Sequence, residues 1–236
     1  MILVTGGTGR LGQIVVPMLR EHEEVRTLGR SSGDIRCDLT KEEPALDGVE
    51  VVLHLAGGAK GDDVATRSLA RAARRANVRH LVHISVIGAD RVPLAWMRTQ
   101  AAAEQAIADS SVPYTILRAA QFHYLAWNLA RTLAKSPIVP VPGMRWQPVD
   151  AHDVAERLVE LTFGAPAGRV PDLAGPMVYT MAELVRDYLR ATGKRRLLLP
   201  VRMPGKAGRA YRNGDNLSLT ADTGKRTWED FVAISR

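Results

Sequence analysis

Chemistry in this chain begins with Thr5-Gly6-Gly7-Thr8-Gly9-Arg10-Leu11-Gly12. The apolar run Ile2-Leu3-Val4 precedes it, and Ile14-Val15-Val16 to Leu19 follows. That space holds a short buried strand, a tight turn and the start of a helix. Gly6 supplies the positive φ of a tight turn. Gly9 lets the backbone approach a diphosphate, and Gly12 lets the helix pack close to the strand. The free N–H groups at the helix start then face the phosphates. A glycine pattern alone is weak; directly after an apolar strand it predicts a dinucleotide site.

The next residues that matter follow the second strand, where the adenosine ribose is read. A carboxylate there selects NAD, and an arginine accommodates the 2′-phosphate of NADP. This strand ends in Leu28-Gly29-Arg30, with Ser31 and Ser32 behind it, and Asp34 comes late. A guanidinium grips phosphate with two hydrogen bonds. The expectation is NADP(H) in preference to NAD(H), with Arg10 as a second positive contact. The alternative is that Arg30 is a solvated loop arginine.

These residues need a scaffold. Strand-like runs at Val25–Leu28, Ile35–Cys37, Val51–Leu55, Leu81–Ile84 and Tyr114–Leu117 alternate with helical stretches at Asp62–Ala76 and Leu94–Ala108. Such alternation predicts an α/β fold, a Rossmann-type doubly wound parallel sheet. Residues 1–120 read as the dinucleotide-binding core. Residues 121–236 read as a smaller substrate-side portion of the same compact unit. It holds helices at Phe122–Ala134, Asp150–Phe163 and Met181–Ala191, the last with a Thr180/Glu183 capping box. Beyond Ala191 the chain is basic and glycine-containing.

Composition sets limits. The 236 residues are 46% hydrophobic and 24% charged, as in a globular protein. No apolar run reaches the roughly 18 residues of a membrane span. No membrane partner and no leader are expected, and the cytoplasm is the expected compartment. One cysteine, Cys37, excludes an internal disulfide and a cysteine-based zinc site. No metal is expected. The net charge of +7 gathers in the arginines from Arg67 to Arg79 and in the run Lys194–Arg212. Without aromatic interleaving, a nucleic-acid partner is not expected.

The glycine motif, Leu28-Gly29-Arg30, Cys37-Asp38-Leu39-Thr40, His54-Leu55-Ala56-Gly57 and Tyr114-Thr115-Ile116-Leu117-Arg118 together resemble the NmrA-like branch of atypical short-chain dehydrogenases/reductases. Gln121-Phe122-His123, Gln147-Pro148-Val149-Asp150 and Asp153-Val154-Ala155 extend the resemblance over nearly the whole chain. It implies a bound NADP(H). Asp38 and Leu39 would hold the adenine, and Leu55, Ala56, Gly57, Ser85, Gln121 and Phe122 would border the cofactor. Members include reductases of quinones and redox sensors that bind NADP without turnover.

Short-chain dehydrogenases use Tyr-x-x-x-Lys, which sets both side chains on one helix face. Here Trp96 stands at the tyrosine place and Gln100 at the lysine place. An indole is a donor only, and an amide carries no charge. The usual proton relay is absent. Ile87 fills the place of the catalytic hydroxyl, and Ser85 reads as a turn residue. His123 is then the group suited to neutral-pH acid work, with Tyr124 second. The alternative for His123 is a hydrogen-bonded pocket-wall residue. Trp96, Trp127, Trp146 and Phe122 are candidates for an aromatic-lined pocket.

Activated acceptors such as quinones take hydride without the missing pair, the cofactor carrying the hard chemistry. The favoured reading is an oxidoreductase acting on a small aromatic or quinone-like compound. The alternatives are a non-catalytic NADP(H) sensor and a recruited non-redox biosynthetic enzyme. Oligomeric state is left open.

Overall fold

The computed structural model describes residues 1–58 and 61–235. In chain order the elements are β1 (Ile2–Thr5), α1 (Gly12–Arg20), β2 (Val25–Gly29), β3 (Ile35–Arg36), β4 (Val51–His54), α2 (Asp62–Arg75), β5 (His80–Val86), α3 (Ala95–Ala108) and β6 (Tyr114–Ala119). There follow α4 (His123–Leu133), β7 (Ile138–Pro142), β8 (Arg145–Trp146), α5 (Ala151–Phe163), β9 (Gly168–Arg169), β10 (Leu173–Ala174) and β11 (Tyr179–Thr180). The last are α6 (Met181–Ala191), β12 (Leu197–Val201), α7 (Gly205–Asn213), β13 (Asp222–Thr223) and α8 (Trp228–Ile234). The chain divides into two compact units. One comprises Met1–Ser85, Ala95–Arg118 and Ala155–Pro171; the other comprises Val86–Leu94, Ala119–Val154 and Asp172–Arg236.

In the first unit the strands run β3-β2-β1-β4-β5-β6, with β9 beside β6. This is the Rossmann order, and its switch point lies between β1 and β4. All residues of β1 and β4 are buried, as parallel strands covered on both faces require. Register then places the site. Thr5 pairs with Leu28 on one side and His54 on the other, so three strands end level and their following loops meet at one edge.

Three polar groups inside this unit are held by one another. Arg118 donates from Nε to Glu104 Oε1 at 2.8 Å and from Nη2 to Oε2 at 2.7 Å, and the Ser85 hydroxyl donates to Glu104 Oε1. Ser85 is therefore a strand residue facing Glu104, which corrects its reading as a turn residue. His54 and His83 stack with centroids 5.0 Å apart. Burial holds the His54 imidazole well below its usual range and brings His83 to about 4.

The second unit has its own core. Val139 and Val141 of β7, Leu184, Val185 and Tyr188 of α6, and Trp228 of α8 form it. Thr180 caps α6 as the sequence predicts, its hydroxyl accepting from the Glu183 amide. The two helices α7 and α8 and the strand β13 after residue 201 were not read from the sequence, although Trp228 is the largest fully buried side chain. Leu173 of β10 pairs with Ala119, and β13 pairs with β10. Among the described residues no helix is long and apolar enough to cross a membrane.

The histidine stack makes stability pH-dependent. His83 has a folded pKa below its unfolded one, so the unfolded chain binds the extra proton. Stability is complete above the unfolded value and falls as pH drops from about 6.5 towards 4, by roughly 3 kcal/mol. Urea midpoints measured across that window should fall for the native chain and fall less steeply for His83→Gln, in which His54 is still buried. Equal slopes for the two would exclude this origin.

Candidate functional site

The glycine turn closes on itself and on the loop after β4. Gly6 N–H donates to the Leu28 carbonyl at 3.1 Å, and Gly9 N–H donates to the Gly6 carbonyl at 2.9 Å. Gly6 has φ +70°, and a Cβ there would lie 2.7 Å from the Ala56 nitrogen. Gly12 has no room either, because a Cβ would meet the Gly6 oxygen and Gly7 Cα. Its close partner is thus the turn, which corrects the expectation of helix-against-strand packing at Gly12. At the start of α1 the Gln13 amide donates to the Gly9 carbonyl at 2.8 Å and the Ile14 amide to the Leu11 carbonyl at 3.0 Å, which ties the helix to this turn.

A buried chain of polar atoms braces the β4 loop. The Ala56 amide donates to Thr5 Oγ1 at 3.2 Å. Thr5 Oγ1 also lies 2.6 Å from His54 Nδ1, and His54 Nε2 lies 2.9 Å from Thr66 Oγ1. A neutral histidine is what its burial favours.

A cleft of about 400 Å³ opens at this edge. Gly6, Thr8 and Gly9 form its floor, and Arg30 and Ser31 one wall. Asp38 and Leu39 line it, as do Leu55, Ala56 and Gly57. Thr5, Gly7, Leu11 and Gly12 support the floor, and Arg10 lies exposed beside Gly9. Thr8 and Ser32 hydroxyls meet at 3.0 Å and tie the turn to the β2 loop. Asp38 accepts from the Thr40 amide and hydroxyl at 3.2 and 2.7 Å, which holds its carboxyl below the usual range. Cys37 is a small buried residue whose thiol burial pushes up.

Asp34 does not reach this cleft. Its Oδ2 accepts from the Thr27 amide at 2.8 Å and the Thr27 hydroxyl at 2.9 Å, and these bonds lower its pKa. A carboxylate the sequence reading missed does line the cleft. Asp62, at the first turn of α2, accepts from Gly58 N–H at 2.6 Å and from Gln100 Nε2 at 2.6 Å, and burial raises its pKa. Its place just after an Ala-Gly-Gly loop was the available signal. Gln100 is therefore occupied by Asp62. Trp96, on the same helix, is 41% exposed. Ser85 spends its hydroxyl on Glu104, away from the cleft's lining residues.

The remaining predicted residues belong to the second unit. Gln121 is buried, and its Oε1 has no hydrogen-bond partner among the described residues. Phe122 stacks on Tyr124 with centroids 5.2 Å apart. His123 is 1% exposed. Its Nε2 lies 3.1 Å from the Pro148 carbonyl, Nδ1 lies 3.5 Å from Asp150, and Trp228 and Phe231 cover the ring. Burial opposes the Asp150 charge, but the nearby His123 ring and the contacts with the His152 amide and ring outweigh it and bring the carboxyl to about 2. Trp127 packs on Tyr188 at 4.7 Å, and Trp146 joins the same cluster. Both tryptophans are partly buried and pack against the edge of that core. Among the described residues no cluster of metal ligands occurs.

A glycine cradle at the switch point of a Rossmann sheet defines a nucleotide-cofactor protein. The chain belongs to the NAD(P)H-binding family, whose model matches residues 6–163. It is 29% identical over 218 residues to (4-alkanoyl-5-oxo-2,5-dihydrofuran-3-yl)methyl phosphate reductase of Streptomyces griseus, covering 82% of this chain and 74% of that one. It is 26% identical over 222 residues to quinone oxidoreductase 2 of Escherichia coli, covering 82% and 75%. Among solved structures it is similar to the NADPH-dependent quinone oxidoreductase of Escherichia coli complexed with NADPH, with TM-score 0.81, 20% identity and coverage of 100% and 99%. The Citrobacter triphenylmethane reductase complexed with NADP(H) gives TM-score 0.73 at 21% identity, covering 93% and 92%. The NmrA-like resemblance fits this fold and family.

Two glycines separate backbone strain from lost space. Gly168 has φ +67° like Gly6, but nothing lies within 4 Å of its Cβ position. Gly168→Ala should cost about 1 kcal/mol in thermal unfolding and leave NADPH affinity unchanged. Gly6→Ala should cost more and weaken NADPH at least tenfold in fluorescence titration. Equal effects of the two would remove the cradle argument.

Proposed function

We propose that the protein is an NADPH-dependent reductase of small aromatic or quinone-like compounds. The observation that carries the reading is the wall formed by Arg30 and Ser31 while Asp34 is turned back onto Thr27. A cationic, hydroxyl-bearing rim suits the 2′-phosphate. The cradle fits a diphosphate because its turn is backbone packed so closely that Gly6 and Gly12 leave no space for a side chain. Residues 1–120 are the proposed cofactor-binding part, and 121–236 the proposed substrate side. The unpartnered Gln121 Oε1 would accept from a ligand N–H. NADPH supplies the hydride when bound.

The chain's own residues limit what can follow. Trp96 is no acid. Gln100 is held by Asp62, and His123 is enclosed by Pro148, Asp150 and two aromatic rings. Water, or the half-buried Tyr124 hydroxyl with no lysine to tune it, is left to supply the acceptor's proton, which suits quinones and other activated compounds and disfavours simple ketones. The quinone, dye and furan-derivative reductases it resembles support this reading. A cytoplasmic setting fits it. A second reading, a sensor that binds NADPH without turnover, is favoured by the same enclosed His123.

Purified protein mixed with NADPH and a panel of quinones, dyes and ketones should oxidise NADPH with quinones and leave simple ketones untouched. Tight binding with no oxidation across the panel would establish the sensor instead. Arg30→Ala should weaken NADPH by roughly tenfold to a hundredfold and NADH little. Equal loss for both would mean that Arg30 does not read the 2′-phosphate.

A further inference from the structure

The run Lys194–Arg212 carries seven Lys and Arg and no Asp or Glu, which matches the whole net charge of +7. The cofactor site uses none of it. The run encloses β12, which pairs in parallel with β7 so that Ile138 faces Leu197 and Pro140 faces Leu199. Side chains alternate along a strand. Val139 and Val141 therefore enter the core, and Ile138, Pro140, Leu197 and Leu199 share the outer face. Leu197 is 65% exposed, Leu199 51% and Ile138 49%.

Cations adjoin this strand at both ends. Arg195 and Arg196 precede β12, and Arg202 follows it. Directly after it, Arg202, Lys206, Arg209 and Arg212 border a hollow of about 440 Å³ at the start of α7. Arg212 is oriented by donating to the Met203 carbonyl at 2.8 Å. The helix has Pro204 at its N-cap and no side-chain cap, so its positive end faces outward unneutralised. Among the described residues none of the seven cations pairs with a carboxylate.

We propose that the outer face of the β7–β12 ribbon, with the basic hollow at α7, docks the protein on anionic membrane lipid. Headgroup phosphates meet Arg202, Lys206 and Arg209. The leucines and Ile138 enter the acyl boundary. Lying on a bilayer needs no spanning helix. Both features are needed for the assignment. An aliphatic face offers no stacking platform for nucleic-acid bases. A second copy of the chain would bring like charge against like charge. The surface stands apart from the redox reading and is tested without it.

Vesicle flotation decides it. The native protein should float with vesicles of phosphatidylcholine mixed with phosphatidylglycerol, stay behind with phosphatidylcholine alone, and be partly released by salt. The triple change Arg202→Gln, Lys206→Gln, Arg209→Gln should weaken binding on the order of a hundredfold. Leu197→Ser with Leu199→Ser should weaken it about tenfold. NADPH binding and thermal melting should stay unchanged in both. No flotation of the native protein, or equal flotation with both lipids, overturns the proposal. So does complete release by inorganic phosphate, or leucine changes without effect together with tighter binding to a single-stranded oligonucleotide.

Discussion

The first unit depends on backbone meeting backbone at the carboxyl edge of its sheet. The turn at Gly6 lies so close to Leu55 and Ala56 that even a methyl group would collide. That approach is possible only because β1, β2 and β4 end in register. It leaves the main chain of Gly6, Thr8 and Gly9 at the floor of the cleft. Amides in this setting bind phosphate through fixed dipoles. The polar chain Ala56–Thr5–His54–Thr66 then locks the facing loop.

Beneath that edge the sheet contains groups that are costly to bury alone. Arg118 and Glu104 form a two-pronged buried pair, and Ser85 completes the carboxylate's partners. Such a pair adds little to net stability, but losing one member would strand the other charge. The two stacked histidines are buried as neutral rings. These groups explain why side chains that look reactive along the strands are structural.

The same logic governs the candidate chemistry. A lysine at the Gln100 position would normally hold a ribose and tune a tyrosine, by the resemblance to short-chain dehydrogenases. Here the amide of Gln100 donates to Asp62 instead and fixes the cleft wall. Asp62 in turn accepts from Gly58, so the pair orders the loop after β4. What these residues gain is a rigid cofactor cleft, and what they lose is a proton relay.

The sequence by itself determined the fold class, the cradle and the basic rim. Glycine spacing, strand–helix alternation and the capping box at Thr180 are local patterns, set by neighbours a few residues away. It also carried the absence of the Tyr–Lys pair, since residue type alone removes that chemistry. The tertiary structure decided where the polar groups are spent. Gln100 meets Asp62 across 38 residues, and Ser85 meets Glu104 across 19. His123 vanishing behind Trp228 and Trp127 packing against the edge of the core were equally invisible along the chain. The reason is physical. A buried polar or aromatic side chain takes whichever partner packing presents, and that partner comes from a distant element that no local spacing encodes.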